Sequence, residues 1–432
     1  MIWRNKKIFF VVFASLFAAL SFGTQSKAAY PYSQINSNGF GDVNNTMVTA
    51  LAYYDGYMYA GTSNSVTGAQ IWRSSDDTNW QKVVDGGLTR TTINRVQSLI
   101  VFDGYLYAGT VASALGAEIW RTNDGTNWQQ VGEDGMGSVT NNNMHTATIF
   151  DNYLYFSTIN GNGAEIWRSA NGTDWELANT PGFGKPQNSG IYGIHTFDGY
   201  VYAGTYNPGQ GAELWRSSSG TDWELVFDGG NGNINDRSIN GLGSIDGYMV
   251  VTTWNNVDGS RVWRTSDGQN FVEVTDDGFG DINNLNFPRV TNLCQKIFTG
   301  SSNVAGAELW SIDPTNGVTE QIVGDDTIPG GFGTLNNYIA SIATYNDQLY
   351  IGLNSNGQLY WINDLCVEEV EDIPEEEPEE EMPQQPANTD TPESPALPIT
   401  GLEFIYAEIM VVFVVCFVAA LHYSYSCTIK RR

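Results

Sequence analysis

A small group of side chains outside the repeated parts of this sequence could hold a ligand. They are His145, Tyr192, Tyr206, Arg237, Trp254 and Arg289. Tyr206 and Trp254 are each followed by an asparagine, and the other four stand near the predicted starts of strands. Aromatic faces beside amides and guanidinium groups suit the apolar face and the hydroxyl groups of a sugar ring, or a peptide. We therefore expect these residues to bind an extracellular glycan or a protein.

The sequence offers little for catalysis. Two of its three histidines, His145 and His195, lie outside the terminal segments, and their spacing is not that of a zinc motif. No phosphate-binding glycine loop and no nucleophile elbow occurs. Acidic, asparagine-rich loops such as 278–284 could offer oxygen ligands to calcium but lack the spacing of an EF-hand. We predict no catalytic residues, no metal site and no cofactor, with calcium as an open alternative.

An internal repeat must position these side chains. The segment DGYMYAGT at Asp55 returns, with increasing variation, at positions 103, 151, 198, 246, 294 and 347. A second motif, GAEIWR at Gly116, follows the first in each unit. Each unit contains four short runs rich in aromatic and β-branched residues, bounded by Gly, Asn and Asp. Four strands in a repeat of about 48 residues predict the blade of a β-propeller.

The expected fold is therefore all-β, a propeller of seven four-stranded blades over residues 30–366. The last unit lacks its fourth strand. Tyr32 stands seven residues before a Gly-Phe-Gly sequence, as Phe271 does in the fifth unit. We predict that the N-terminal strand completes the seventh blade and closes the ring, which removes the exposed edges of an open sheet.

Residues that recur in every unit are expected to form the scaffold. Ten of the 13 tryptophans occupy two repeated positions, so we assign them to packing between blades. Arginines also repeat, at positions 73, 121, 168, 216 and 264, and asparagines at positions 45, 141, 188, 284 and 337. We expect both sets to fix turns, and we expect function where one blade differs from the others.

The turn between third and fourth strands, TNDGTNW at Thr122, resembles the Asp-box of sialidase-like and other propellers. The resemblance implies that the Asp organises the hairpin through backbone amides. Asn171 and Ser219 replace it in two units, which suits a structural role. A sialidase-like site would also need three arginines around the channel, a nucleophile and an acid. Phe287-Pro288-Arg289 matches that family's Phe-Arg-Ile-Pro element only distantly and lies late in the chain, so a glycoside hydrolase is the alternative function.

The N-terminal segment 1–29 has the parts of a secretory signal peptide. Arg4, Lys6 and Lys7 precede a short apolar run, and small residues end the segment. An N-terminal membrane anchor is the alternative. We expect the chain to be exported.

The C-terminal segment 397–432 carries an LPITG motif followed by an apolar stretch and a basic end. The motif consists of Leu397, Pro398, Ile399, Thr400 and Gly401. Together these parts resemble the sorting signal of sortase-anchored surface proteins. In that family a transpeptidase cuts between Thr and Gly and joins the Thr to the cell wall, which implies a cut after Thr400. The alternative is a single transmembrane anchor; in both cases the propeller is displayed at the cell surface.

Charge is strongly unbalanced, with 20 Lys and Arg against 48 Asp and Glu, a formal net charge of −28. Such a chain lacks the basic face that nucleic-acid binding requires. Residues 367–396 contain 12 of the acids, no base and six prolines. This composition predicts an extended, disordered stalk between propeller and anchor.

Two of the four cysteines, Cys294 and Cys366, fall in predicted turns of neighbouring blades. Export permits oxidation, so they are candidates for a disulfide. The sequence as a whole predicts a surface-displayed propeller for adhesion or ligand capture. A structural spacer without a ligand is a further alternative.

Overall fold

The computed structural model describes residues 30–112, 114–324, 332 and 338–366. These residues belong to the first of the two units into which the chain divides, Met1–Glu368. The predicted signal peptide, stalk and sorting signal lie outside the described residues. Within the described ranges, no helix is long and apolar enough to cross a membrane.

The described residues form seven antiparallel blades of four strands, as the repeat predicts. Blades 1 and 2 contain β2 (Met47–Tyr54), β3 (Tyr57–Ser63), β4 (Ile71–Ser74) and β5 (Gln81–Val84), then β6 (Ile93–Phe102), β7 (Tyr105–Ala112), β8 (Ile119–Thr122) and β9 (Gln129–Val131). Blades 3 and 4 contain β10 (Asn143–Phe150), β11 (Tyr153–Ile159), β12 (Ile166–Ser169) and β13 (Glu176–Leu177), then β14 (Gly190–Phe197), β15 (Tyr200–Tyr206), β16 (Leu214–Ser217) and β17 (Glu224–Phe227).

The remaining blades repeat this arrangement. Blade 5 contains β18 (Ser238–Ile245), β19 (Tyr248–Trp254), β20 (Val262–Thr265) and β21 (Val272–Thr275). Blade 6 contains β22 (Asn286–Leu293), β23 (Lys296–Ser302), β24 (Leu309–Ile312) and β25 (Thr319–Val323), and blade 7 contains β26 (Ile339–Tyr345), β27 (Gln348–Leu353), β28 (Leu359–Ile362) and β1 (Tyr32–Gln34). Three 3-10 turns precede blades, at Asn38–Gly41, Asp134–Gly137 and Pro181–Gly184.

The ring closes through the N-terminal strand. β1 pairs antiparallel with β28, Tyr32 opposite Ile362. The indole of Trp80 in blade 1 donates to the carbonyl of Ile35 at 2.9 Å. First strands of successive blades contact one another around the centre, including β26 with β2. The predicted seven-bladed propeller is confirmed.

Asp-Gly turns form the hairpins between first and second strands. In blade 1 both central residues have positive φ, 46° at Asp55 and 83° at Gly56. This is the backbone of a type I′ turn, whose twist matches that of the flanking strands. The third residue of the strand that follows each turn is buried, a tyrosine in five blades such as Tyr59, Val250 in blade 5 and Phe298 in blade 6.

The turn between third and fourth strands is held by one short side chain. Oδ1 of Asp124 accepts the amides of Thr126 at 2.8 Å and Asn127 at 2.7 Å. These bonds stabilise the charged carboxylate and lower the pKa of Asp124. Asn171 accepts the equivalent amides in blade 3. A neutral residue performs the same task, so the turn residue is structural.

Repeated arginines link four of the blades to the next, those of Arg73, Arg121, Arg168 and Arg264. The Arg73 guanidinium lies 4.4 Å from the Tyr57 ring centroid and donates to the carbonyl of Asp124 in blade 2 at 3.3 Å. Arg121 repeats this contact with Asn171 in blade 3, at 3.4 Å. Cation–π and carbonyl contacts of this kind stabilise an interface without a carboxylate. The predicted scaffold role of these arginines agrees with their contacts.

A disulfide joins blades 6 and 7. Cys294 lies in the turn after β22 and Cys366 follows β28, with their Cα atoms 5.3 Å apart. The bond closes a loop with a sequence separation of 72 residues. It fastens the strand that pairs with β1, and so supports the point at which the ring closes.

Candidate functional site

One cavity of about 170 Å³ lies where the first strands begin around the central channel. Three candidate ligand contacts line it: His145, Tyr192 and Arg289. Its other described lining residues come from five blades: Thr49, Arg95, Gln97, Asn240, Asn286, Pro288, Tyr338 and Ala340. A second cavity of about 140 Å³ shares Thr49, Gln97, His145 and Arg289 with it and is lined by more aliphatic side chains. The two cavities are successive sections of the channel.

A β-bulge recurs near the start of every first strand and aims one side chain into the cavity. The pairing register shifts between Val48 and Ala50 in blade 1, and at the corresponding place in all the other blades. The bulged positions are Thr49, Gln97, His145, Tyr192, Asn240, Pro288 and Ala340. All seven line the cavity. Bulges commonly re-aim side chains beside functional sites.

Chemical variety is concentrated at these bulged positions and at the strand starts two residues before them. The residue before the bulge is apolar and fully buried in every blade. These residues are Val48, Val96, Met144, Ile191, Ile239, Phe287 and Ile339. The scaffold therefore repeats, whereas the channel-facing residue differs in each blade. This is the pattern expected where a symmetric fold carries an asymmetric ligand site.

An aromatic row extends from the cavity across blades 3 to 5. The His145 and Tyr192 ring centroids lie 4.4 Å apart, and those of Tyr192 and Tyr206 lie 5.2 Å apart. Tyr206 stacks on Trp254, with centroids 5.7 Å apart and planes 13° apart. We name these four residues the aromatic row. Tyr192, Tyr206 and Trp254 are half-buried, so part of each ring faces solvent.

Gly190 makes room for the row. A Cβ atom at this position would lie 2.4 Å from Cε2 of Tyr192 and 3.3 Å from Cβ of Tyr206. The equivalent positions of the other blades carry side chains: Met47, Arg95, Asn143, Ser238, Asn286 and Tyr338. The glycine therefore permits the Tyr192 ring to lie between His145 and Tyr206.

The two arginines of the cavity are held through uncharged partners. Nε of Arg289 donates to the carbonyl of Ala340 at 3.0 Å, and Nη1 donates to that of Pro288 at 3.1 Å. Arg95 donates to Oγ of Ser63 at 3.4 Å and to Oε1 of Gln97 at 3.3 Å. The described lining residues of the cavity include no Asp or Glu. The cavity is consequently positive within a strongly acidic protein.

Burial sets the protonation of the other titratable groups there. His145 is 7% exposed, and burial, with Arg289 and Arg95 nearby, holds its pKa well below the usual value. Its Nδ1 atom is buried without a hydrogen-bond partner. Burial also raises the pKa of Tyr192 to about 12. At neutral pH the imidazole and the phenol are both neutral.

The structure does not bring all six sequence-predicted contacts together. Arg237 stands between blades 4 and 5, where its carbonyl accepts the amide of Asn207 and its amide donates to Trp254. It is not among the residues that line the cavity, and its Nε is buried without a partner. Sequence reasoning missed Arg95 and Tyr338. Alignment of the seven strand starts could have found them, since both precede a bulge by two residues.

The asparagines beside the aromatic residues belong to the scaffold. Asn207 is 0% exposed and its Nδ2 donates to Oδ1 of Asn188 at 2.9 Å. Asn64 and Asn160 make the same bond in other blades. We expected Asn207 and Asn255 to mark a departure from the repeat. That interpretation was wrong for the two amides, because buried polar groups must find partners and these recur for that reason.

The described part of the chain contains no cluster of side chains that could bind a metal ion. No three His, Cys, Asp or Glu side chains there are grouped so that they could hold an ion. In the loop 278–284, both carboxylate oxygens of Asp281 accept protein hydrogen bonds, from Asn283 and Asn303.

Open grooves of about 260 and 410 Å³ lie on blades 3 and 4, and side chains of the repeat line them.

Comparisons with known proteins identify the fold of the chain and no sequence family. No protein-family model matches the chain, and no curated protein matches it. The WD40 β-propeller domain of Doa1 superposes with a TM-score of 0.50 at 11% identity, over 77% of this chain and 97% of that one. Sqt1 from Saccharomyces cerevisiae gives 0.46 at 10% identity, over 78% and 99%. BamB from Moraxella catarrhalis gives 0.43 at 12% identity, over 74% and 84%. The similarity to the Doa1 domain shows that the chain folds as a β-propeller.

Proposed function

We propose that this protein is a surface-displayed, non-catalytic propeller that binds an extracellular glycan or protein at the mouth of its channel. The observation that carries the proposal is the aromatic row, which leads out of a polar cavity lined by the bulge residues. The row and the cavity lie on one face, and neither belongs to the repeated scaffold.

A glycan fits this arrangement well. The stacked pair Tyr206 and Trp254 offers ring faces at a surface position, where the apolar face of a pyranose can pack. Asn240 donates to Oδ1 of Asn286 at 2.7 Å, and the NH2 group of Asn286, which lines the cavity, suits a sugar hydroxyl group. A cavity of about 170 Å³ is too small for a folded domain and has room for one sugar unit.

Hydrolysis of a glycoside is the competing function. It requires two carboxyl groups that flank the scissile bond. The absence of Asp and Glu from the described lining of the cavity favours binding over this reaction. A turnover assay on a panel of glycosides distinguishes the two, since a binding protein releases no reducing sugar.

Export and anchoring complete the proposal. A signal peptide at 1–29 and the LPITG sorting motif at 397–401 would place the propeller outside the cell, on the acidic segment 367–396 as a stalk. Mass spectrometry of protein released by wall digestion should then find a chain that ends at Thr400. Replacement of Leu397 and Pro398 by Ala should leave the protein in the membrane fraction.

The direct test is a binding screen. Full-length protein, purified in detergent, is applied to a glycan array and to an array of extracellular-matrix proteins. Binding that is lost in the double variant Tyr206→Ala, Trp254→Ala supports the proposal. A negative result on both arrays would favour the alternative of a structural spacer.

A further inference from the structure

Arg95 and Arg289 are two cations of the propeller that lie at one place. They line one cavity, and neither forms an ion pair with a carboxylate among the residues that the structure describes. Most other cations do have such partners: Arg90, Arg168, Arg216, Arg261, Lys82, Lys185 and Lys296. In a chain with a net charge of −28, two guanidinium groups left without a carboxylate at one place require an explanation.

The side chains around these guanidinium groups include uncharged hydrogen-bonding groups. Gln97, Asn240 and Asn286 present amides, and Tyr338 presents a phenol. Arg289 is close enough to Arg95 that the nearby charge, after burial, lowers its pKa. Two like charges in a confined, partly desolvated space repel each other unless an anion lies between them. An anion between the two guanidinium groups would relieve this repulsion.

We propose that this cavity holds the anionic group of an acidic glycan, a uronate carboxylate or a sulfate ester. The inference rests on the proposed binding function and narrows its ligand. A carboxylate or sulfate matches the planar fork of a guanidinium and accepts two hydrogen bonds from it. The walls then supply uncharged donors to the ring hydroxyl groups of the same sugar.

The aromatic row favours a glycan over an acidic peptide. Tyr192 lines the cavity and leads to Tyr206 and then to Trp254. Trp254 also pairs across the blade boundary with Asn286, which lines the cavity. A sugar chain whose acidic unit occupies the cavity would therefore place its next units against successive rings. Flat apolar surfaces in sequence suit pyranose faces, which repeat along such a chain.

Matched pairs of probes test the inference. The full-length protein is titrated with trigalacturonate and with its methyl ester, in which each carboxylate is replaced by a neutral ester. Chitotriose with and without 6-sulfate groups forms the second pair, and a tri-glutamate peptide of equal charge is the third probe. We expect at least tenfold tighter binding of one acidic glycan than of its neutral partner, weakened by added salt. The pair that responds distinguishes carboxylate from sulfate.

Variants locate the effect. Arg95→Gln and Arg289→Gln should each bring the affinity for the acidic member down to about that for the neutral member. Arg289→Lys keeps the charge without the fork and should retain part of the preference. Lys82→Gln, on the outer strand β5, is the matched loss of one positive charge and should change neither affinity. The thermal unfolding midpoint of each variant shows whether it is folded.

Each outcome separates this inference from the proposed function. Equal affinity for charged and neutral glycans overturns the anion site and leaves glycan binding in place. Binding of tri-glutamate as tightly as the acidic glycan overturns the choice of a glycan. A preference that persists in both Gln variants overturns the assignment to Arg95 and Arg289. If no probe binds and the glycan array is also empty, the proposed glycan binding fails as well.

Discussion

Tyr206 and Trp254 stack nearly parallel across the boundary between blades 4 and 5, with ring centroids 5.7 Å apart and planes 13° apart. Each ends the second strand of its blade, at the position that pairs with the first strand of the next blade. Ser63, Val111, Ile159 and Ser302 occupy this position elsewhere. The pair is therefore a local addition to a repeated frame.

Removal of either ring should weaken binding without unfolding the propeller. We expect Tyr206→Ala and Trp254→Ala each to reduce affinity for the bound glycan about three- to tenfold, because each stacking contact is worth about 0.5–1.5 kcal/mol. Titration calorimetry measures the affinity. Val257→Ala, an exposed change in the neighbouring loop, is the control. Unchanged affinity in both aromatic variants would place the ligand elsewhere.

Gly190→Ala tests whether the position of Tyr192 matters. The added methyl group would lie 2.4 Å from the tyrosine ring, which must therefore shift from its place in the aromatic row. We expect weaker binding, with only a small loss of stability because a side chain and not the backbone gives way. Gly199→Ala meets no atom within 4 Å but has a φ of 75°, so it should cost stability and leave affinity intact. Normal affinity in Gly190→Ala together with weaker binding in Gly199→Ala would contradict this interpretation.

In blade 5 an Asp–Arg pair stands where blade 4 has an Asn–Glu pair, and substitution can restore the blade 4 residues. Asp236 and Arg261 form a buried pair with Oδ2 and Nη1 3.3 Å apart, where blade 4 has Asn188 and Glu213 bonded at 2.7 Å. Burial raises the pKa of Asp236 to about 6, although Arg261 opposes the shift. Arg261→Glu would place two carboxylates together and should cost about 3 kcal/mol or more.

The double variant Asp236→Asn, Arg261→Glu should recover part of that loss, since it recreates the pair found in blade 4 but leaves Glu273, the second partner of Arg261, beside the new carboxylate. Chemical denaturation of the wild type, both single variants and the double variant gives the coupling free energy. Additive losses would show that the two positions act independently.

The disulfide should stabilise the closure of the ring. Replacement of Cys294 and Cys366 by Ser should lower the free energy of unfolding by about 2–4 kcal/mol. Thermal unfolding of the double variant, compared with the reduced and the oxidised wild type, measures the effect. Mass spectrometry that finds both thiols free in the exported protein would contradict the bond.

Acid should destabilise the protein through His195. Burial lowers its pKa to about 4, and Nε2 lies 2.8 Å from Oγ of Ser244. In the unfolded chain the pKa of His195 is about 6.5, so the unfolded state binds a proton before the folded state does as the pH falls. The folded state therefore keeps its full stability above about pH 6.5 and loses stability between about pH 6.5 and 4. At pH 5 the loss should be about 1–2 kcal/mol.

His195→Gln should reduce the fall in the unfolding midpoint between pH 7.5 and pH 5. Groups such as Asp236 titrate equally in both proteins, so the difference between the two pH profiles isolates the histidine. Parallel profiles would show that another group is responsible.

Periodicity made the architecture predictable, and the position of the site followed only in part. Four strands per unit and the match between Tyr32 and Phe271 were sufficient for the blade count and the closure. The orientation of channel residues was not predictable from strand alternation, because a bulge at each strand start shifts the pattern by one residue. Arg95 escaped notice for this reason, although it faces the same cavity as Arg289. The exchange of Asp236 and Arg261 shows that a departure from the repeat can be purely structural.

The most direct test of the binding site is a crystal structure of the protein with an oligosaccharide selected in the glycan screen. We expect a sugar unit in the cavity between Arg95, Arg289 and His145, and a neighbouring unit packed against Tyr206 and Trp254. A ligand bound in the outer grooves of blades 3 and 4, with the channel mouth unaffected, would contradict it.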